Sequence, residues 1–132
     1  MSRKTFTVPT AQRPAAALSA AAGVGRFVAI SGQTGSRNGE TVVEGFEAQT
    51  RLALERLFAA LTAAGASETD VVDVGVFLSR GDDFDEMNRI YREYFSEPYP
   101  ARTTATVGLR PGVLFEVNAK AVLDDRPSDI TG

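Results

Sequence analysis

The sequence holds 132 residues with 14 basic and 17 acidic side chains, a formal net charge of −3, and no histidine, cysteine or tryptophan. The missing cysteines exclude disulfides, thiol catalysis and thiolate metal sites; the missing histidines remove the commonest metal ligand and general base; the acidic balance argues against nucleic acid as a main partner. The length and an apolar fraction of 43% suit one globular domain over residues 1–132, for which no metal or other cofactor is expected.

From the N-terminus, Met1 to Arg13 carries Arg3, Lys4 and Arg13 and leads into "AAALSAAAGVG", an order shared with secretory signals. Alanine is weakly hydrophobic, however, and Pro9 and Pro14 interrupt the lead-in, so a soluble cytoplasmic protein is expected. No run of 18 apolar residues offers a membrane span. Lys4 to Val8 alternates and predicts a short first strand. Arg26 to Ser31 mixes aromatic and β-branched residues, stops at Gly32 and predicts a second. Gly32 to Thr41, with Gly35 and Asn38-Gly39, reads as loop.

A long helix is predicted over about Val43 to Ala64. Thr50, Leu54, Leu57, Phe58 and Leu61 recur at three and four, and Gly65 fits the position that ends it. Val71 to Leu78 is apolar on both faces, hence a central strand. A second helix follows, capped by Asp83 with Glu86 three residues on. It buries Phe84, Met87, Tyr91 and Phe95, interleaved with Ile90 and Tyr94, and Pro98 and Pro100 end it. Arg102 to Val107 and Val113 to Val122 are the last strands, joined by "GLRPG", and Asp124 to Gly132 is expected to be a mobile tail. The order β–β–loop–α–β–α–β–β predicts an α+β sandwich of two layers, with both helices on one face of a mixed sheet.

The last two strands have unlike faces. Val113, Phe115, Val117, Ala119 and Ala121 are apolar, whereas Glu116, Asn118 and Lys120 alternate with them. Arg102, Thr104 and Thr106 share one face of the preceding strand. Paired as a hairpin, the two strands would bring Arg102, Thr104, Glu116 and Asn118 together on the face that the helices leave uncovered. Two readings stand side by side. One is a solvated sheet face with an Arg–Glu cross-strand pair, which contributes about 0–1 kcal/mol. The other is an anion site beside a carboxylate, with an arginine fork for a substrate carboxylate and a glutamate that positions water. Elsewhere the chemistry is thin. "GVG" at Gly23 lacks a third glycine and precedes a strand, so it is no dinucleotide site. Asp82-Asp83 is explained by capping, Asp124-Asp125 lies in the tail, and Asn88 reads either as a solvated helix residue or as a polar group aimed at a cleft.

The stretches "GRFVAISGQTG", "EAQTRLALERLFAALTAAGAS", "DVVDVGVFLSRGDDFDEMNRIYREYF", "EPYPART" and "FEVNAKAV" fall in order from about residue 24 to 123. On these the chain resembles the Rid family of reactive intermediate deaminases, of the YjgF type. The resemblance implies a chorismate-mutase-like fold in a homotrimer whose uncovered sheet faces line a central barrel, with three clefts between subunits. It assigns Arg102 to the substrate carboxylate and Glu116 to the attacking water, and it matches Ser31 and Asn88 to family site positions. The chain departs from the family at three places: Leu18 stands near a tyrosine position, Thr104 where cysteine is frequent, and Asn118 where a second acid is frequent. Retained Arg102 and Glu116 imply hydrolysis of 2-imino or enamine acids to 2-oxo acids and ammonia, while the missing tyrosine bears on rate and substrate choice. The alternative is a non-catalytic homotrimer that binds small carboxylates. RNA cleavage, a label the family also carries, sits poorly with the acidic balance and the absent histidine.

Overall fold

Alternation along the last strand sets the layers. A computed structural model describes residues 2–9, 17–37 and 41–124. Its elements are β1 (Lys4–Phe6), β2 (Ala21–Val24), β3 (Phe27–Thr34), β4 (Ser36–Arg37), β5 (Thr41–Val42), α1 (Phe46–Ala63), β6 (Val71–Leu78), α2 (Phe84–Tyr94), β7 (Ala101–Thr106) and β8 (Phe115–Val122). Six strands form one sheet in the order β1-β2-β3-β8-β6-β7, and β4 pairs with β5 in a small ribbon. Within the large sheet β6–β7 is parallel and the other pairings are antiparallel. Both helices lie on one face, as expected for the two-layer sandwich. The expected loop at Asn38-Gly39 and the expected tail after Asp124 lie outside the described residues.

The core is the apolar stripe of α1 against the apolar face of the sheet. Leu54, Leu57 and Leu61 meet Val28 and Ile30 of β3, Val74, Val76 and Leu78 of β6, and Phe115, Val117, Ala119 and Ala121 of β8, all buried in one cluster. α2 adds Met87, Ile90 and Tyr91. Phe58 of α1 joins the α2 end through Phe95 at 5.3 Å and Tyr94 at 6.2 Å between ring centroids. On the outside Arg51 ties the two helices, with Glu47 at 2.9 Å and a two-pronged contact to Glu93 at 2.9 and 3.1 Å. That hydrogen bonding holds the Glu93 carboxyl below its usual range.

Five expectations change. Phe84, expected in the buried stripe of α2, is exposed. The alanine-rich segment contributes β2: Ala21 and Ala22 pair with Ile30 and Ala29, and Gly25 at φ 60° makes the tight return to β3. Alanine favours helix in isolation, so here the ladder overrides propensity. β3 does not stop at Gly32 but continues to Thr34 through an irregularity between Ile30 and Gln33. Asp83 occupies the cap of α2 without capping it. Its backbone sits at φ −84°, ψ 2°, away from the extended geometry that aims a cap side chain at the next amides, and its carboxylate accepts from Arg80 at 3.0 Å instead. Finally, β7 and β8 do not pair as a hairpin, because β6 lies between them.

A buried glutamine closes the end of the sandwich. Gln49 is 2% exposed. Its Nε2 donates to the carbonyls of Val43 at 3.0 Å and Gly112 at 2.9 Å, and its Oε1 accepts from the Leu114 amide at 2.8 Å. One side chain thus satisfies three backbone groups from the segments before α1 and before β8. Gln49→Leu leaves all three without a partner. At about 1–3 kcal/mol for each unsatisfied buried group, offset by partial rearrangement, the loss is expected to be roughly 2–4 kcal/mol. Urea unfolding should show a lower midpoint with an unchanged slope; a midpoint equal to wild type would mean the clasp contributes nothing.

Candidate functional site

In-register neighbours share a face of a sheet. β7 pairs with β6 as Val74↔Arg102 and Val76↔Thr104. Val74 and Val76 are buried against the helices, so Arg102 and Thr104 lie on the helix side. β8 pairs with β6 as Gly75↔Asn118 and Phe77↔Glu116, which sets Glu116 and Asn118 on the open side. The expected convergence of these four residues on one face therefore does not occur. The physical reason is the inserted strand: β7 enters the sheet parallel to β6 at its outer edge, in a register that puts Arg102 in phase with the core valines.

Arg102 is bedded on aromatic and thioether surface. Its guanidinium carbon stands 4.7 Å from the Tyr91 ring centroid and 5.9 Å from that of Phe84, and Nη1 lies 3.8 Å from the Met87 sulfur. Among the described residues no carboxylate pairs with it. It lines a pocket of about 320 Å³ with Asn88, Tyr91, Arg92, Tyr99 and Pro100. Among the described residues the buried Tyr91 hydroxyl finds no hydrogen-bond partner, nor does Thr104 Oγ1. Burial pushes the Tyr91 hydroxyl up to about 12 against the opposing pull of Arg102, so it stays a proton-bearing donor at neutral pH. This is a cationic, donor-rich hollow on the edge of the sheet.

The open face carries the second cluster. The Glu116 carboxylate folds over Gly32, where an added Cβ would overlap its Oε2. Beside it, Ser31 Oγ donates to the Ser19 carbonyl at 2.6 Å, and the Ser31 amide donates to the Ala20 carbonyl at 3.0 Å. Leu18, 52% exposed, Ser19 and Ser31 line a groove of about 470 Å³ together with Thr5 of β1 and Arg3 just before it. Asn118 is occupied within the fold, since its Oδ1 accepts from the Gly75 amide at 3.1 Å. Lys120 approaches Asp73 at 3.5 Å. Around these polar groups Val24, Phe27, Val72 and Val122 are exposed; Phe27 pairs in register with both Val24 and Val122.

The candidate residues therefore form two clusters on opposite sides of the sheet, one with Arg102, Asn88 and Thr104, the other with Glu116, Ser31 and Leu18. Reading the sequence missed Arg92 and Tyr99 as pocket residues and gave Tyr91 only a core role. The spacing of Arg92, four residues after Asn88, was a usable signal, because i and i+4 share a helix face. Among the described residues no group of acidic side chains is arranged to hold a metal ion, and no helix is long and apolar enough to cross a membrane.

The model of the family described as endoribonuclease L-PSP matches residues 9–123. A RutC family protein of Pyrococcus abyssi is 38% identical over 124 residues, covering 92% of this chain and 98% of that protein. The 2-iminobutanoate/2-iminopropanoate deaminase of Homo sapiens is 36% identical over 120 residues, 87% of this chain and 88% of that protein. Among solved structures, RidA from the Antarctic bacterium Psychrobacter sp. superposes with a TM-score of 0.85 at 34% identity, covering 91% of this chain and 99% of that one.

Gly32 provides a test of the open-face cluster that leaves the glutamate in place. In Gly32→Ala the methyl group meets the far end of a flexible side chain, which can swing aside, so the melting temperature should move little. The Glu116 carboxylate must then leave its position. Any activity that depends on it should fall at least severalfold, and an active, equally stable Gly32→Ala protein would separate the glutamate's position from function.

Proposed function

We propose that this chain, which belongs to the endoribonuclease L-PSP (YjgF/Rid) family, hydrolyses reactive 2-imino acids and their enamine tautomers to 2-oxo acids and ammonia, in the cytoplasm and without a cofactor. The observation that carries the reading is the Arg102 guanidinium, which meets no carboxylate among the described residues. A buried or half-buried arginine ordinarily meets one; here its bed is aromatic and thioether surface, which suits capture of a substrate carboxylate in bidentate geometry. The name of the human relative, an imine deaminase, supports the same reaction.

The chemistry fits a chain without histidine or cysteine. An imine carbon is already electrophilic, so the reaction needs orientation, one placed water and proton movement, not a strong nucleophile. Water adds across C=N with Glu116 orienting it. The C–N bond then breaks, the water oxygen remains as the 2-oxo group, and its two hydrogens leave on nitrogen as ammonia. Carbonyls of β7, an edge strand with half its backbone groups turned away from β6, receive the imine N–H near Arg102 and Thr104. Ser31 and Leu18 shape the wall beside Glu116, and Asn88 borders the arginine.

Within one protomer the sheet itself separates Arg102 from Glu116, and a small imino acid cannot touch both. The reading therefore includes assembly: the cluster around Glu116 faces Arg102 of the partner subunit across a cleft, in a homotrimer that also covers Phe27, Val122 and their apolar neighbours. Asn118 has a bracing role in this scheme through its bond to Gly75. RNA cleavage, which the family description names, is disfavoured by the net charge of −3 and the absence of histidine. A carboxylate-binding module without turnover is the remaining alternative.

Light scattering should give about three times the 14.1 kDa chain mass; a monomer at micromolar concentration would overturn the intersubunit site. Clearance of 2-iminopropanoate, generated in situ by an amino-acid oxidase, tests the reaction, and binding of its carboxylate product without rate enhancement would favour the module. Glu116→Gln should lower kcat while product affinity changes little. Arg102→Ala should cost at least about tenfold in kcat/KM, since a charge-assisted bond contributes on the order of 1.5–3 kcal/mol and 1.4 kcal/mol is a factor of ten. Arg102→Lys should also be poor because an ammonium lacks the planar fork. Loss of folding in step with activity would make Arg102 structural.

A further inference from the structure

The pocket around Arg102 contains more positive charge than one carboxylate needs. Arg92 stands on α2 one turn after Asn88 and lines the same pocket as Arg102. It is exposed, and among the described residues it makes no ion pair or hydrogen bond. Basic residues on and just before the helices behave differently: Arg51 meets Glu47 and Glu93, Arg80 meets Asp83, and Arg89 meets Glu47, Glu86 and Glu93. The acids near the pocket are engaged elsewhere, Glu68 with the amide and hydroxyl of Ser96 and Asp73 with Lys120. No acidic residue lines the pocket, whereas Arg92, Arg102, Asn88, Tyr91 and Tyr99 do. The buried Tyr91 hydroxyl has no partner among the described residues.

We propose that Arg92 is a second anion anchor and that the preferred substrates are 2-imino dicarboxylates, whose far carboxylate it receives while Arg102 holds the near one. This rests on the deaminase reading. Two arginines in one hollow repel each other at modest cost while water fills it, and a ligand with two negative charges turns that repulsion into paired attraction. A short apolar imino acid leaves Arg92 solvated and gains nothing from it. The pocket volume of about 320 Å³ accommodates a four- or five-carbon diacid. Exposure on a helix makes the position replaceable without damage to the core.

The experiment compares kcat/KM for 2-iminosuccinate and 2-iminoglutarate, generated by oxidases from aspartate and glutamate, with that for 2-iminopropanoate. Wild type, Arg92→Met and Arg92→Lys are measured with melting temperatures alongside. The wild-type ratio of dicarboxylate to monocarboxylate should exceed one and fall on the order of tenfold in Arg92→Met, the worth of one charge-assisted contact, with partial retention in Arg92→Lys. A ratio unchanged within twofold in Arg92→Met, in a protein that clears 2-iminopropanoate, overturns this proposal and leaves the deaminase reading intact. Calorimetry with 2-oxoglutarate and pyruvate separates the converse case. Selective binding of the diacid that Arg92→Met abolishes, without any imine clearance, retains the second anchor and removes the deaminase. Equal binding of both in wild type and variant removes the anchor.

Discussion

β7 leaves the turn after α2 and joins the sheet parallel to β6, with Arg102 opposite Val74. Much of the molecule's arrangement depends on that register. Parallel strands need a crossover, and α2 supplies it, packed on the sheet face that already holds α1. Because in-register partners share a face, the one long cation of β7 is delivered to the covered side, directly under the helix that made the crossing. A slip of one residue would turn Arg102 to the open face and present Thr103 to the helix.

A guanidinium beside a core is expensive to leave dry and unpaired. The fold manages it by position and by surface. Arg102 is half-buried at the sheet edge, its stem along apolar contacts and its plane near the faces of Tyr91 and Phe84, where ring quadrupoles attract cations by about 0.5–2 kcal/mol. A carboxylate partner would stabilise the charge further but would occupy the fork. The aromatic bed orients the group and keeps its donors open, which is the property that a carboxylate-binding residue needs. Arg51, with its acids on the outer surface of the helices, does the opposite: its donors are consumed in joining α1 to α2.

The sheet is also a barrier. Its two sides carry unlike groups, a cationic hollow on one and a carboxylate with small polar neighbours on the other. Both sides show groups without a partner among the described residues, namely the buried hydroxyls of Tyr91 and Thr104 on the helix side and exposed Phe27, Val72 and Val122 on the open side. Gly32 admits the Glu116 carboxylate close to the β3 backbone, and Asn118 braces β8 on Gly75. On the proposed reading these features belong to one cleft between copies, so that assembly and catalysis share the same surface.

The local pattern of the chain was enough for β6, for α1 with its stripe and its glycine end, for α2, and for the alternation of β8, since each depends on periodicity over a few residues and on burial of one face. The same pattern, with the motifs around Arg102 and Glu116, was enough for the family. It did not reveal β2, because alanine has no strand signature and becomes a strand only when β1 and β3 offer hydrogen bonds on both sides. It misjudged the cap of α2, because Asp83 had a nearer cation. Nor could it tell which face Arg102 takes. Alternation assigns residues to one face or the other within a strand, but the phase between strands depends on which strand is the neighbour and in what direction it runs. That is decided only when the crossover helix packs and β6 comes between β7 and β8. The pocket shared by Arg92, Asn88, Tyr91, Tyr99 and Arg102 exists for the same reason: helix and edge strand meet there only in three dimensions.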